Sequence, residues 1–169
     1  MRRKVGTAVN EQVQQMANYV CEIALVDGPL PLDSPFDTPD AGAVVDFFGN
    51  VRPLENGAPI AGIEYEAHRE MAEHQLRMVA QEAAKRFDLL AIRLHHRLGY
   101  VPSGQTSLFL RVGAAHRGAA FVAGQWIVDE LKKRVPIWKT PKFEPNSVAG
   151  VVDAGPRSAT AAATGIGGT

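Results

Sequence analysis

"TSLFLRVGAAHRGAAFVAGQWIVDELKKRVPIWK", residues 106–139, decides the fold. Its first part, 106–115, reads as a strand with Leu108, Leu110 and Val112 on one side. From Arg117 the spacing turns helical. Ala120, Ala123, Ile127, Val128 and Leu131 form the inner stripe of a helix over 117–135. Gly124 falls on that stripe, where a missing side chain allows close packing at some cost in helix propensity. Pro136 ends the helix, because it has no N–H to donate and its ring clashes with the preceding turn.

Upstream, "LAIRLHHRLG" (90–99) reads as a strand with Ile92, Leu94, His96 and Leu98 on one face. Before it, Ala72, Leu76, Val79, Ala80, Ala83 and Phe87 mark a helix over 70–87. "IEYEAH" (63–68) alternates as a strand, and Asn56-Gly57 is the hairpin signal ahead of it. "AGAVVDFFGNVR" (41–52) begins as a buried strand and leaves through Gly49, while "YVCEIALV" (19–26) is the first strand. The proline-rich stretch 27–42 connects those two, with room for a short helix over 34–40. This order predicts an α+β domain with a mostly antiparallel sheet and two main helices. Residues 1–18 read as a flexible N-terminal arm, 19–152 as the domain and 153–169 as a disordered, small-residue tail.

The 169 residues suffice for one domain with a real core, and 46% are hydrophobic. Lys plus Arg equals Asp plus Glu at 18 each, a zero formal charge. That balance argues against a generic nucleic-acid binder but leaves room for a local basic pocket. One cysteine, Cys21, rules out an intrachain disulfide framework and fits a reducing cytoplasm. No run is long and apolar enough for a membrane-spanning helix. No ligand spacing among His, Cys, Asp and Glu indicates a metal, and no nucleotide-loop motif occurs.

Chemistry concentrates at the two ends of the second helix. A helix N-terminus offers free N–H groups and attracts anions; His116 and Arg117 add a side-chain donor and a fixed cation. The bland alternative has His116 capping the helix and Arg117 solvated. At the other end, Lys132, Lys133 and Arg134 complement the helix dipole, a structural role worth roughly 0.3–1 kcal/mol each. Lys139 follows a rigid Pro-Ile-Trp and invites a different reading, a lysine against buried aromatic surface that exchanges protons. Pro136 breaks the helix between Lys132 and Lys139, so they need not share a helical face and are free to converge across the turn. His96 reads as a satisfied core histidine.

Taken together, "GAVVDFFGNVR", "IEYEAHREMAEHQL" and "HHRLGYVPSGQTSLFLRVGAAHRGAAFVAGQWIVDELKKRVPIWK" resemble the MoaE family, the large, catalytic subunits of molybdopterin synthase. The resemblance covers roughly residues 20–145. It implies an α/β-hammerhead fold and a cytoplasmic enzyme without a cofactor of its own. It also implies a homodimer, with a small ubiquitin-like sulfur-carrier subunit docked on each copy to make a heterotetramer. The carrier's C-terminal Gly-Gly thiocarboxylate delivers sulfur to cyclic pyranopterin monophosphate, giving the dithiolene of molybdopterin. By motif, Lys132 and Lys139 match the family's active-site lysines and Arg52 its pocket arginine. His116 and Arg117 match the pair lining the substrate site, in part across the dimer interface, and Phe47 and Val128 match apolar pocket positions.

Such chemistry needs no cysteine nucleophile, because the sulfur arrives on the partner, and Cys21 reads as a core residue. Thr140-Pro141 depart from the family pattern in what the resemblance makes a loop embracing the carrier tail, and Gln105 replaces a frequent Glu. Two alternatives stay open: a non-catalytic dimeric homologue that docks a carrier as a scaffold, and a phosphometabolite-binding protein with no carrier groove.

Overall fold

Eight strands and two helices appear in a computed structural model that describes residues 14–16, 19–33, 38 and 40–144. Strand β1 (Gln14–Met16) pairs antiparallel with β2 (Tyr19–Asp27), and β3 (Ala43–Asn50) follows. A short β4 (Leu54–Glu55) leads into β5 (Ala58–Ala67), then helix α1 (Arg69–Phe87) and the long β6 (Leu89–Pro102). Strand β7 (Thr106–Ala114), helix α2 (Arg117–Arg134) and β8 (Ile137–Phe143) complete the order. Most of the short helix expected over 34–40, the tail and most of the arm lie outside the described residues.

The sheet centres on β6. Its first half pairs with β2 and β7, its far end with β5, and β3 lies outside β7. Pairing is antiparallel except for β2 with β6, which run parallel over nearly all of β2. A parallel pair needs a long crossover, and β3 to α1 supply it. The α+β class with a mostly antiparallel sheet and two helices therefore stands.

Both helices pack on one face of the sheet. Ala72, Leu76, Val79, Ala80 and Ala83 of α1 and Ala120, Ala123 and Ile127 of α2 are completely buried, with Ile92, Leu94 and Val112 beneath them. The small residues let α1 and α2 lie close together on the strands. Gly124 differs from its expected role. A Cβ there would meet nothing within 4 Å, so it is not a close-packing site. The hairpin reading holds, since Asn56 and Gly57 both have positive φ (51° and 83°) and Glu55 pairs with Ala58, a two-residue turn.

The segment after Pro136 is a strand, not a loop. Residues of β8 pair with β5 from Ala67↔Ile137 to Ile60↔Phe143, and Thr140 and Pro141 sit inside that ladder. Pro141 fits because β8 pairs with β5 alone among the described strands, and an edge strand tolerates proline.

The other face of the sheet buries charge. Arg93 and His95 of β6 alternate away from the helices and meet Glu22 of β2. Arg93 donates to one Glu22 oxygen at 2.9 Å, and His95 Nε2 lies 2.6 Å from the other. Burial raises the Glu22 pKa, but the hydrogen bonds from His95 and Arg93 outweigh it and hold the carboxyl below its ordinary value.

Candidate active site

A cleft of about 800 Å³ opens between the C-terminal turn of α2 and the sheet. Its size suits a small-molecule ligand. Leu131, Lys132 and Val135 line one side, Ile137 and Lys139 of β8 another. The end of β3 brings Phe47 and Arg52's segment, and Glu55 enters from β4. The floor includes Tyr65, His96, Ser107 and Leu108.

Five of the seven residues singled out in the sequence line this cleft: Phe47, Arg52, Val128, Lys132 and Lys139. Lys132 and Lys139 reach it from different elements, because the chain leaves α2 at Pro136 and returns along β8. The basic run ending α2 divides by partner. Lys133 pairs with Glu130 at 3.0 Å, and Arg134 with Glu82 at 2.7 Å and Glu130 at 3.5 Å, so both serve the helix surface. Lys132 has no ion pair among the described residues and lines the cleft instead.

Lys139 departs from its expected setting. Strand alternation puts Trp138 on the opposite face, where it is exposed. Lys139 is not packed on a buried indole; it donates to Glu55 Oε1 at 2.7 Å. The second Glu55 oxygen lies 3.9 Å from Arg52 Nη2. Sequence reasoning missed Glu55, since only the turn at Asn56-Gly57 pointed to its neighbourhood. The Lys139 hydrogen bond and charge hold the Glu55 carboxyl below its ordinary value.

His96 is buried as expected and has a second aspect. Its Nδ1 donates to the Arg97 carbonyl at 2.8 Å and its ring meets Tyr65 edge-on, yet it also lines the cleft. Burial holds the imidazole below its ordinary range, against the opposing hydrogen bond to Arg97, so it is neutral at pH 7.

His116 and Arg117 do not line this cleft. They stand exposed at the N-terminus of α2, and fifteen residues of helix at 1.5 Å each put Arg117 about 22 Å from Lys132. His116 occupies the N-cap position but makes no side-chain capping hydrogen bond. Between the two basic ends runs an apolar groove of about 500 Å³, lined by Phe47, Phe121, Val122 and Val128 among others. Phe121 and Val122 are 64% and 56% exposed. Among the described residues no group of three potential metal ligands converges, and no helix is long and apolar enough to cross a membrane.

Comparison with known proteins gives this arrangement relatives. The molybdopterin synthase catalytic subunit of Thermoplasma volcanium is 42% identical over 130 residues, covering 76% of this chain and 95% of that protein. The crystal structure of molybdopterin synthase from Staphylococcus aureus superposes with a TM-score of 0.66 at 28% identity, covering 73% of this chain and 90% of that one. A complex of subunits 1 and 2 of molybdopterin-converting factor from Helicobacter pylori shares the fold, with a TM-score of 0.52 at 22% identity over 63% of this chain and 73% of that one. The family model described as MoaE protein matches residues 26–134, and with that match and a relative spanned almost end to end, the chain belongs to the MoaE family.

Proposed function

We propose that this protein is the catalytic subunit of a molybdopterin synthase, moving sulfur from a thiocarboxylated, ubiquitin-like carrier to cyclic pyranopterin monophosphate. The observation that carries the reading is the convergence of Arg52, Lys132 and Lys139 on one cleft with apolar walls at Phe47 and Val128. The substrate is a phosphorylated pterin and the sulfur donor is an anion, so a cationic cleft serves both.

In this reading the carrier's Gly-Gly tail enters the cleft, its sulfur bonds to a substrate carbon that carries oxygen, and that C–O bond breaks, the oxygen leaving as water or, at the cyclic phosphate, staying on the phosphate as its ring opens. Lys132 and Lys139 orient the anions and move protons as the new C–S bond forms. Water then attacks the carrier's terminal carbonyl carbon. The bond from that carbon to sulfur breaks, leaving sulfur on the pterin and a carboxylate on the carrier. A second carrier repeats the step to complete the dithiolene. Arg52 helps hold the phosphate through its planar fork.

His116 and Arg117 enter the site from a second copy of the chain. Two features support such a homodimer. The edge strand β3 exposes Val44, Phe47 and Phe48, and the adjoining face of α2 exposes Phe121 and Val122. Apolar side chains exposed along a sheet edge and on the neighbouring helix invite a partner.

The test is reconstituted turnover with thiocarboxylated carrier and cyclic pyranopterin monophosphate, with the dithiolene product detected after oxidation. Product whose rate falls at least tenfold when Lys139 is replaced by Ala supports the enzyme. Carrier binding without any product from the unaltered protein would favour a scaffold instead.

A further inference from the structure

We propose that Glu55 is a built-in stand-in for the carrier's anionic terminus, holding the cationic centre of the cleft until the thiocarboxylate displaces it. The inference rests on the sulfur-transfer reading and adds a residue that determines how tightly the tail is taken. Glu55 is the one carboxylate among the described residues lining the cleft. Its two oxygens face two different cations on two different segments, Lys139 at 2.7 Å and Arg52 at 3.9 Å. Its side chain is 15% exposed, against 55% for Lys139 and 79% for Arg52. The carboxylate is therefore the most covered of the three groups, with the cations reaching over it as they would for a bound anion.

A thiocarboxylate is the same planar, delocalised anion with one oxygen replaced by sulfur. Any such group that engages Lys139 and Arg52 competes with Glu55 for the same donors. Glu55 is also poised to yield. It sits on a strand of two residues, which among the described residues pairs with Pro59 and Ala58 across the turn. Leu54 beside it is half exposed, so little buried surface anchors this end of the hairpin.

The opposite role is that of a strut, in which Glu55 fixes Lys139 for binding. The two roles predict opposite signs. In calorimetric titrations, a carrier ending in its ordinary Gly-Gly carboxylate is compared with one lacking the last two residues. If Glu55 competes with the tail, Glu55→Gln binds the Gly-Gly carrier about tenfold tighter than the unaltered protein. The truncated carrier binds both proteins alike. Equal or weaker binding of the Gly-Gly carrier by Glu55→Gln overturns the proposal. If neither protein binds either carrier, the functional reading itself fails. The competition is then judged with inorganic pyrophosphate, whose affinity rises in Glu55→Gln if the proposal holds and stays level or falls if it does not.

Discussion

Replacing Lys139 by Ala removes the ammonium that β8 delivers to the cleft, and the size of the loss follows from its surroundings. At about 4 Å from a reacting anion, with an effective dielectric constant of about 20, one charge contributes about 4 kcal/mol. Lys139 is 55% exposed, so solvent screening takes this to about 2 kcal/mol, or roughly 30-fold in rate. A second effect adds to it. Without Lys139, Glu55 keeps only the distant Arg52 and stands as an uncompensated negative charge where an anion must bind. The loss is therefore greater in the native background than in Glu55→Gln, where no stranded carboxylate remains. A double-mutant cycle on single-turnover rates separates the two contributions. Expected losses on removing Lys139 are about 100-fold with Glu55 present and about 30-fold in the Glu55→Gln background. A loss below tenfold in the native background refutes the assigned role of Lys139, and equal losses in both refute its coupling to Glu55.

Two further expectations concern groups away from the cleft. Burial pushes the Cys21 thiol up to about 11, so it is protonated at neutral pH and no nucleophile; Cys21→Ala keeps turnover within about twofold, and a folded but inactive variant would reject the core assignment. The Glu22 carboxyl is held below its ordinary value by His95 and Arg93. A depressed carboxyl contributes stability that is complete above the unfolded-state value near 4.3 and is lost as the pH falls through the folded value. Urea unfolding from about pH 6 to about pH 3 therefore shows a fall in stability that Glu22→Gln makes shallower, while lowering stability at neutral pH by about 3 kcal/mol. An unchanged pH slope would show that the cluster is not the source.

The parts of the fold that were legible are those written in local periodicity. Helix α2 was, because Ala120, Ala123, Ile127 and Leu131 recur on one stripe and Pro136 stops it. The turn at Asn56-Gly57 was, because positive φ at two successive positions demands such residues. Strand β8 was not. "IWKTPKF" carries a proline and no apolar alternation, and its conformation comes from the ladder with β5, more than seventy residues away in sequence at most of its pairs. The pairing of Lys139 with Glu55 joins positions 84 apart, and that of His95 with Glu22 joins positions 73 apart. Neither distance leaves a local signal. At the site, residue types and motifs named seven positions and the fold gathers five of them in one cleft. The place of His96 in the cleft lining was hidden, because burial in a core and burial beneath a cleft look identical in an apolar stripe.

The separation of the remaining two positions makes its own demand. Some 22 Å of helix keeps Arg117 from the cleft that holds Lys132 of the same chain. If both serve one substrate, the site is shared between two copies, and a two-fold dimer then holds two equivalent shared sites. Mixed dimers decide this. A protomer carrying Lys139→Ala and a partner carrying Arg117→Ala place both lesions in one shared site and leave the other intact. Each homodimer alone is impaired at every site, Arg117→Ala chiefly through weaker binding of the phosphorylated substrate. Random reassortment at equal amounts makes half the dimers mixed, each with one intact site, so turnover below KM recovers to about a quarter of the unaltered level. If each protomer carried a complete site, every site in the mixture would still hold one lesion and no recovery would occur. Recovery would thus place the two ends of α2 in one reaction while leaving them in different chains.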